Sequence, residues 1–285
     1  MSRIAYVNGR YVPHRDAMVH IEDRGYQFAD GVYEVCEVRG GRIVDERRHL
    51  QRLQRSLAEL RIREPMPAAA LGVVLHETVC RNRVRDGLVY LQVTRGVARR
   101  DHAFPPSETV PSLVITARNV DRARGEQAAA EGIRVVTLPE NRWPRVDIKS
   151  VSLLPNVLAK QTAREQGARE AWFVDEAGYV TEGASSNAWI VTEAGTVATR
   201  PADRGILRGI SRAVLLDTIA ALGLAFEERP FTVAEAYAAR EAFVTAATQI
   251  VMPVVRIDDR PIGAGRPGPL ALKLRQAFHG QSEFS

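Results

Sequence analysis

Two kinds of hydrophobic periodicity alternate along the first 120 residues. Ile4-Ala5-Tyr6-Val7 precedes Asn8-Gly9, a dipeptide that favours tight hairpin turns, and Arg-Tyr-Val follows it. Leu50, Leu53, Leu57 and Leu60 are three or four residues apart, as on one face of a helix. These patterns predict a hairpin at 4–13, a strand at 32–38 with a return at 42–44, helices at 46–61 and 67–84, and strands at 88–95 and 112–118.

The remaining chain opens with a polar stretch, residues 119–132, which is rich in arginine, alanine and glutamate. We interpret it as a linker and predict two domains, an N-terminal α/β domain at 1–120 and a C-terminal barrel-like domain at 121–285. Strands and helices do not alternate strictly, which favours an α+β fold with mixed sheets. The predicted elements are a strand at 133–138, an extended segment at 145–149, a helix at 155–167, strands flanking the 176–178 turn, a helix at 210–222, a capping box from Thr232 to Glu235, strands at 242–246 and 250–257, and a helix at 269–279.

Composition narrows the class of protein. Hydrophobic residues make up 45% of the 285 residues and charged residues 26%, which is typical of a globular protein. The net charge of +5 could indicate nucleic-acid binding, but the arginines are interspersed with acids and no nucleic-acid-binding motif is visible. There is no run of 18 apolar residues, no signal-peptide-like start, and no metal or redox spacing of the two cysteines. We therefore expect a cytoplasmic protein that binds neither membrane nor metal.

The basic residues are unevenly divided, with 36 arginines and only three lysines, Lys149, Lys160 and Lys273. Arginine does not readily deprotonate and cannot form an imine, so each lysine could serve chemistry that arginine cannot perform. Lys160 and Lys273 lie in predicted helices, where a solvated helix face accounts for them. Lys149 ends the predicted extended segment and could point rigidly into a cleft. Its spacing alone fits a structural role as well as a catalytic one.

Motifs around Lys149 and elsewhere resemble those of the class IV aminotransferases, which depend on pyridoxal 5'-phosphate. Within that class the sequence is most similar to the D-amino-acid aminotransferases. The resemblance covers nearly the whole chain, and its motifs are specific only in combination. They are Asp147-Ile148-Lys149-Ser150, the segment from Glu22 to Glu34, the segment from Val180 to Asn187, and Leu207-Arg208-Gly209-Ile210-Ser211-Arg212.

The resemblance implies a role for each matching residue toward the cofactor. Lys149 would hold pyridoxal phosphate as a Schiff base and carry the catalytic proton. Glu182 would keep the pyridine nitrogen protonated, and Leu207 would pack on the ring. The implied phosphate ligands are Arg52, Gly209, Ile210, Ser211 and Thr248, and the implied cofactor loop contains Ser185, Ser186 and Asn187. Without the resemblance, Arg52 would be interpreted as a surface residue and Glu182 as a turn carboxylate.

The segment from Arg95 to His102 is implied to anchor the substrate carboxylate. Arginine offers a bidentate fork, and Arg100 and His102 point to the same side of an extended loop. In the D-amino-acid aminotransferases such a pair reaches in from the partner subunit of a homodimer, and a tyrosine matching Tyr33 completes the carboxylate site. An arginine-rich surface loop is the alternative, and Arg99 could replace Arg100 as the inward residue.

The predicted fold is the two-domain class IV fold, and the predicted reaction moves an amino group between D-amino acids such as D-alanine or D-glutamate and 2-oxo acids such as 2-oxoglutarate or pyruvate. Branched-chain L-amino-acid aminotransferases, (R)-amine transaminases and aminodeoxychorismate lyases share this fold and remain alternatives. A non-enzymatic pyridoxal-binding relative is a further one. The chain departs from many relatives at Ala184, where serine is common, and at Ala29, where glycine is common. Neither change removes a group that the chemistry requires.

Overall fold

A computed structural model describes residues 3–285. The chain divides into two compact units. The first contains the residues up to Asp121, together with Ile148–Ser152 and Glu283–Ser285. The second contains Arg122–Asp147 and Leu153–Ser282. The short segment that carries Lys149 therefore belongs to the first unit, although its flanking residues belong to the second.

The first unit is a six-stranded sheet with helices packed on it. Its elements are β1 (Ile4–Val7), β2 (Arg10–Pro13), α1 (Arg24–Phe28), β3 (Gly31–Arg39), β4 (Arg42–Ile43), α2 (Glu46–Glu59), α3 (Ala68–Arg81), β5 (Gly87–Thr94) and β6 (Ser112–Asn119). The strand order is β2-β1-β6-β5-β3-β4, and every neighbouring pair is antiparallel.

Alternation along β3 explains the core of this unit. Val32, Cys36 and Val38 share one face of the strand and are completely buried. Leu53 of α2 and Leu75 of α3 belong to the same hydrophobic cluster. The face of β3 that packs against the helices is therefore apolar between residues 32 and 38 except at one position, the buried Glu34.

The second unit contains a nine-stranded mixed sheet that curls into a half-barrel. Its elements are α4 (Arg122–Glu131), β7 (Ile133–Pro139), α5 (Leu154–Glu165), β8 (Glu170–Val174), β9 (Val180–Gly183), β10 (Asn187–Val191), β11 (Val197–Thr199), α6 (Ile210–Ala221), β12 (Phe226–Glu228), α7 (Val233–Tyr237), β13 (Glu241–Ala246), β14 (Ile250–Ile257), β15 (Arg260–Pro261) and α8 (Pro269–Ala277). The order is β12-β11-β10-β13-β14-β7-β8-β9, and β15 pairs with β14. The predicted α+β fold with mixed sheets is confirmed.

Strands of the second unit are buried on both faces. Every residue of β9, β10 and β11 is buried, which requires packing partners on each side of the sheet. Trp189 of β10 stacks on Phe243 of β13 with ring centroids 5.7 Å apart, and Val214 of α6 belongs to the same cluster. This packing holds the start of α6 beside a rigid sheet.

Local turn and capping signals are confirmed. The hairpin turns at Asn8 and Gly9, whose φ angles of 45° and 94° are left-handed. The capping box is present in full, because Thr232 accepts from the Glu235 N–H and the Glu235 carboxylate accepts from the Thr232 N–H.

Two local predictions were wrong. Most of the stretch interpreted as a linker, residues 122–131, forms the helix α4, and good helix formers at 127–131 favour it. Residues 144–147 form a turn rather than an extended segment. Pro144 starts this turn, and the Arg145 guanidinium donates to the Asp147 carboxylate at 2.9 Å across it. Within residues 3–285, no helix is both long enough and apolar enough to cross a membrane.

Candidate active site

Lys149 is held by its backbone against the middle of the first unit. Its carbonyl accepts a hydrogen bond from Tyr33 N at 3.0 Å, and its own N–H donates to Ser56 Oγ at 3.3 Å. The preceding Ile148 is buried in the hydrophobic cluster of that unit. The half-buried side chain places Nζ 4.1 Å from the centroid of the Tyr33 ring, and that ring stacks on Tyr90. The backbone of Lys149 is therefore held by two hydrogen bonds, and its amine lies over an aromatic ring.

The other two lysines have different surroundings. Lys273 is exposed on α8, as predicted. Lys160 does not lie on a fully solvated face, because its Nζ donates to Arg169 O at 2.6 Å and lies 3.3 Å from the buried Glu170 carboxylate. Both contacts tie the Lys160 amine to the residues at the start of β8, which is a structural role. The Lys149 amine instead lies over an aromatic ring.

Arg52 is buried, and it belongs to a polar cluster inside the first unit. Its Nε and Nη2 donate to the two oxygens of Glu34 at 2.7 and 2.8 Å, and His49 Nδ1 lies 2.7 Å from Glu34 Oε2. Burial alone raises the pKa of Glu34, but Arg52 and His49 outweigh it and lower the pKa to about 2. Burial lowers the pKa of His49. The cluster thus pairs an ionised carboxylate with a charged guanidinium.

Glu182 lies at the end of β9, and four of the predicted residues meet there. Its Oε2 accepts from Asn187 Nδ2 at 2.9 Å and from Leu207 N at 3.1 Å. Asn187 also donates to Leu207 O at 3.0 Å, which ties the strand β10 to the loop before α6. A Cβ at Gly209 would come within 2.1 Å of Asn187 Oδ1, so any larger residue there would displace the Asn187 side chain.

The second oxygen of Glu182 accepts from Arg142, a residue that the sequence analysis did not single out. Arg142 Nη1 donates to Glu182 Oε1 at 2.6 Å, while Nε and Nη2 donate to Glu140 at 2.8 and 2.6 Å. Burial raises the pKa of Glu182 to about 7, even though Arg142 favours its ionised form. Glu182 can therefore change its charge near neutral pH, unlike Glu34.

The start of α6 has the features of a phosphate site. Gly209 is the N-cap residue, and it has no side chain with which to cap the N–H groups of Ile210 and Ser211. A helix N-terminus with free N–H groups favours an anion. The donor set of this unit, with a buried carboxylate and a glycine-lined helix start, fits a cofactor that carries a ring nitrogen and a phosphate.

Ser185 and Ser186 both bind the buried acid Glu170, Ser185 from an exposed position and Ser186 from a buried one. Ser185 Oγ donates to Glu170 Oε2 at 2.6 Å, and Ser186 Oγ lies 3.1 Å from the same oxygen. Asn156 Nδ2 donates to Ala184 O at 2.8 Å. These contacts hold the loop between β9 and β10 in one conformation. Ala184, where many relatives have serine, is buried in an apolar cluster.

Thr248 lies exposed in the short turn that joins β13 and β14. The turn closes through Gln249 N, which donates to Ala246 O at 3.0 Å. Ile250 follows with a φ of 60°, an uncommon conformation for a β-branched residue. A hairpin loop of this length places one residue in the left-handed region, and glycine usually occupies it. The turn is therefore strained close to the predicted phosphate ligand.

The predicted carboxylate residues Arg100 and His102 lie on one aromatic ring. The Arg100 guanidinium is 5.1 Å from the centroid of Phe28, and the His102 ring is 5.4 Å from it. Arg24 holds this loop by donating from Nη1 to Asp101 O at 2.6 Å. Arg99, Arg100 and His102 are all exposed. Tyr33, the third member of the predicted set, is instead in contact with Lys149.

Sequence reasoning missed the ionisable side chains that bind the predicted residues. These are Glu34, His49, Glu140, Arg142 and Glu170. Glu34 had a detectable signal, because alternation places it on the same face as Val32 and Cys36. Arg142 had none, because 40 residues separate it from Glu182. Within residues 3–285, no group of three or more His, Cys, Asp or Glu residues could hold a metal ion.

Comparison with known families gives a match over most of the chain. The family model described as class IV amino-transferase matches residues 31–257. The D-alanine aminotransferase of Bacillus licheniformis is 40% identical over 271 residues, which cover 95% of this chain and 94% of that protein. The D-alanine aminotransferase of Staphylococcus haemolyticus is 36% identical over 275 residues, which cover 96% of both chains.

Solved structures of similar fold include branched-chain amino acid aminotransferases. The enzyme of Escherichia coli superposes with a TM-score of 0.89 at 24% identity, over 98% of this chain and 94% of that one. The enzyme of the archaeon Thermoproteus uzoniensis, solved with norvaline, superposes with a TM-score of 0.86 at 25% identity, over 98% and 94% of the two chains. The fold is thus shared with proteins that are more distant in sequence than the D-alanine aminotransferases above.

Proposed function

Because the chain belongs to the class IV aminotransferases, which depend on pyridoxal phosphate, we propose that it transfers an amino group between D-amino acids and 2-oxo acids. The observation that carries the substrate class is the 36–40% identity to D-alanine aminotransferases over 94–96% of each chain. Branched-chain aminotransferases share the fold at only 24–25% identity. D-Alanine and 2-oxoglutarate, giving pyruvate and D-glutamate, are the proposed substrates.

Lys149 is the proposed catalytic residue and the covalent anchor of the cofactor. When bound, pyridoxal phosphate supplies an electron sink for the charge that develops at the substrate α-carbon. The Lys149 amine moves the proton to and from that carbon. Its two backbone hydrogen bonds and its contact with Tyr33 support this role, because they hold the backbone and place Nζ over the Tyr33 ring.

Glu182 is the proposed partner of the cofactor's pyridine nitrogen. Its buried carboxylate accepts from Arg142, Asn187 and Leu207, which keeps the carboxylate in one orientation. The proposed ring and loop contacts are Leu207, Ser185, Ser186 and Asn187. The proposed phosphate ligands are Arg52, Gly209, Ile210, Ser211 and Thr248. The N-terminus of α6 supports this assignment, because its uncapped N–H groups favour an anion.

Arg100, His102 and Tyr33 are the proposed ligands of the substrate carboxylate. The pair Arg100 and His102 is held on Phe28, which keeps two donors close together for a planar anion. Because these two side chains are exposed in a single chain, we propose that they complete the site of a second copy in a homodimer.

Exposed apolar side chains support the homodimer. Met18, Ile21 and Tyr26 are 78%, 76% and 77% exposed, and they lie close together in sequence before and within α1. On α5, Leu154, Val157 and Leu158 form an exposed apolar stripe at helical spacing. The two cysteines are free thiols, which fits the reducing cytoplasm as the proposed location.

A substrate panel tests the function. The purified protein should absorb near the visible edge and should transaminate D-alanine with 2-oxoglutarate, whereas L-alanine and L-leucine should react poorly. Borohydride reduction followed by peptide mapping should find the cofactor on Lys149, and Lys149→Ala should abolish activity. Preference for L-leucine would replace the proposal with a branched-chain L-amino-acid aminotransferase. Attachment at Lys160 or Lys273 would overturn the assignment of Lys149.

Two neighbouring arginines provide a matched test of the carboxylate site. Arg100→Ala should lower kcat/KM for D-alanine by roughly 30-fold or more, because the carboxylate loses its bidentate donor. Amines without a carboxylate should lose far less, and Arg99→Ala should change little. Equal losses for both substrate types would assign Arg100 a structural role, and a loss confined to Arg99→Ala would make Arg99 the ligand.

A further inference from the structure

Arg142 occupies a position between two carboxylates inside the second unit. Its side chain is buried, and the guanidinium lies 4.4 Å above the ring of Phe173. Nη1 donates to Glu182 at 2.6 Å, while Nε and Nη2 form a two-point contact with Glu140. A planar guanidinium held at two points cannot rotate, so the direction of the third donor toward Glu182 is fixed.

Glu140 serves as the anchor of this arrangement. Besides the guanidinium, its Oε1 accepts from the backbone N–H of Arg142 at 3.1 Å, and its Oε2 accepts from Thr181 Oγ1 at 2.8 Å. Burial opposes ionisation of Glu140, but Arg142 and Thr181 lower its pKa below the ordinary value. Glu140 therefore stays charged and holds Arg142 in place.

We infer that Arg142 is a positioning residue for the aminotransferase reaction, because it fixes the orientation and the negative charge of the Glu182 carboxylate. This inference rests on the proposed role of Glu182 as the partner of the pyridine nitrogen. Arg142 touches neither substrate nor cofactor in this scheme and acts through Glu182 alone.

The charges of Glu140, Arg142 and Glu182 support the inference. With Glu140, Arg142 and Glu182 all ionised, the three side chains carry a net charge of −1, which suits a cationic ring nitrogen. Without Arg142 the two carboxylates would carry −2 in a buried place, where like charges strongly disfavour joint ionisation. Glu182 would then keep its proton and could no longer hold a second proton on the ring nitrogen.

The test begins with cofactor-free protein, in which the infrared carbonyl stretch of a protonated carboxyl can be assigned to Glu182 by difference from Glu182→Gln. In the parent protein this band should disappear as the pH rises through about 7. In Arg142→Met it should persist at least one pH unit higher, and in Arg142→Lys it should lie between the two. An unchanged titration in Arg142→Met would overturn the inference.

A double-mutant cycle extends the test to the loaded enzyme. Arg142→Met should slow single-turnover transamination at pH 7 by roughly tenfold or more, but should add little to Glu182→Gln, because both changes act on one contact. Losses that multiply would show that Arg142 acts elsewhere. Normal turnover in Glu182→Gln alone would instead overturn the proposed role of Glu182. The infrared titration would still decide whether Arg142 controls the charge of Glu182.

Arg229 offers a matched control, because it also bridges two carboxylates, at 2.9 Å from Glu227 and 2.8 Å from Glu235, but on the surface. Arg229→Met should leave both the Glu182 titration and the turnover unchanged. If Arg142→Met does not fold, Arg142→Gln takes its place, because it removes the same charge while keeping a polar side chain at this position. That variant should lower the kcat of transamination more than it raises KM, and an unchanged kcat would contradict the inference.

Discussion

Glu34 in the first unit and Glu182 in the second are both buried, and each accepts a hydrogen bond from a buried arginine. Their pKa values nevertheless move in opposite directions, to about 2 for Glu34 and about 7 for Glu182. Burial raises both, so the neighbours must account for the difference. The comparison shows that an arginine contact alone does not decide whether a buried carboxylate is ionised.

The arginines differ in how their donors are shared. Arg52 gives two donors to the two oxygens of Glu34, whereas Arg142 gives one donor to Glu182 and two to Glu140. The charge of Arg142 is therefore divided between two carboxylates. Glu34 and Arg52 therefore form a neutral pair. Glu140, Glu182 and Arg142 carry a net charge of −1 when all three are ionised, which favours a cation nearby.

The largest effect that separates the two sites should come from Glu34→Gln. This change leaves Arg52 charged and buried without its carboxylate, which costs about 3–5 kcal/mol in the free energy of unfolding when a buried pair is broken on one side. Urea unfolding of the cofactor-free protein at pH 7 measures it. Glu182→Gln should cost clearly less, because Arg142 keeps Glu140 as a partner.

Glu37→Gln is the control on the same strand, because Glu37 points to the opposite face of β3 and is only half-buried. Its effect should stay within about 1 kcal/mol, because its ion pair with Arg39 at 4.0 Å is partly exposed to solvent. Equal destabilisation by Glu34→Gln and Glu182→Gln would contradict the contrast between Arg52, which binds one carboxylate, and Arg142, which binds two.

In the first unit, the burial of Glu34 could be predicted from the sequence, but its pairing with Arg52 could not. Alternation along β3 predicts the buried face, and Glu34 stands on that face among apolar residues. The spacing of α2 predicts which side of the helix is buried, but Arg52 lies at its polar edge and looks like a surface residue without its partner. The pairing of Arg52 with Glu34 depends on packing between α2 and β3, which no local pattern encodes.

The second unit shows where prediction from sequence stops. The glycines, the capping box and the start of α6 follow from local chemistry and were predicted. Glu182 was found through the motif around it, but its partner Arg142 precedes the Lys149 motif in an irregular turn. Local patterns do not specify a contact across 40 residues of loop and strand. The turn at 144–147 was predicted to be extended, because the β-branched Val146 and Ile148 favour an extended chain, whereas Pro144 favours a turn.

The next largest effect should be the pH dependence of stability, and it should have opposite sign for the two acids. Glu182 has a raised pKa, so its contribution is full below about 4.5 and falls as the pH rises to about 7. Glu34 has a lowered pKa, so its contribution is full above about 4.5 and falls as the pH drops toward about 2. Each pH unit inside a window changes stability by at most about 1.4 kcal/mol per group.

Free energies of unfolding for cofactor-free protein from pH 3.5 to 8 measure both windows. The difference between the parent and Glu182→Gln should shift in favour of the variant between pH 4.5 and 7 and then level off. The difference between the parent and Glu34→Gln should be flat in that range and shrink below it. A flat curve for Glu182→Gln from pH 4.5 to 7 would contradict the raised pKa of Glu182.

The smallest expected effect concerns Thr181, whose hydroxyl donates to Glu140 beside Arg142. Thr181→Val keeps the shape but removes the hydrogen bond to Glu140, which should cost about 1 kcal/mol of stability at pH 7. Glu140 would then draw more strongly on Arg142, so the Glu182 titration should move upward by a few tenths of a pH unit. Thr218→Val, which removes a buried hydroxyl from α6, should cost a similar amount and leave the titration unchanged. A downward shift in Thr181→Val would mean that Glu140 does not compete with Glu182 for Arg142, and the division of the arginine's charge would then fail to explain the contrast with Glu34.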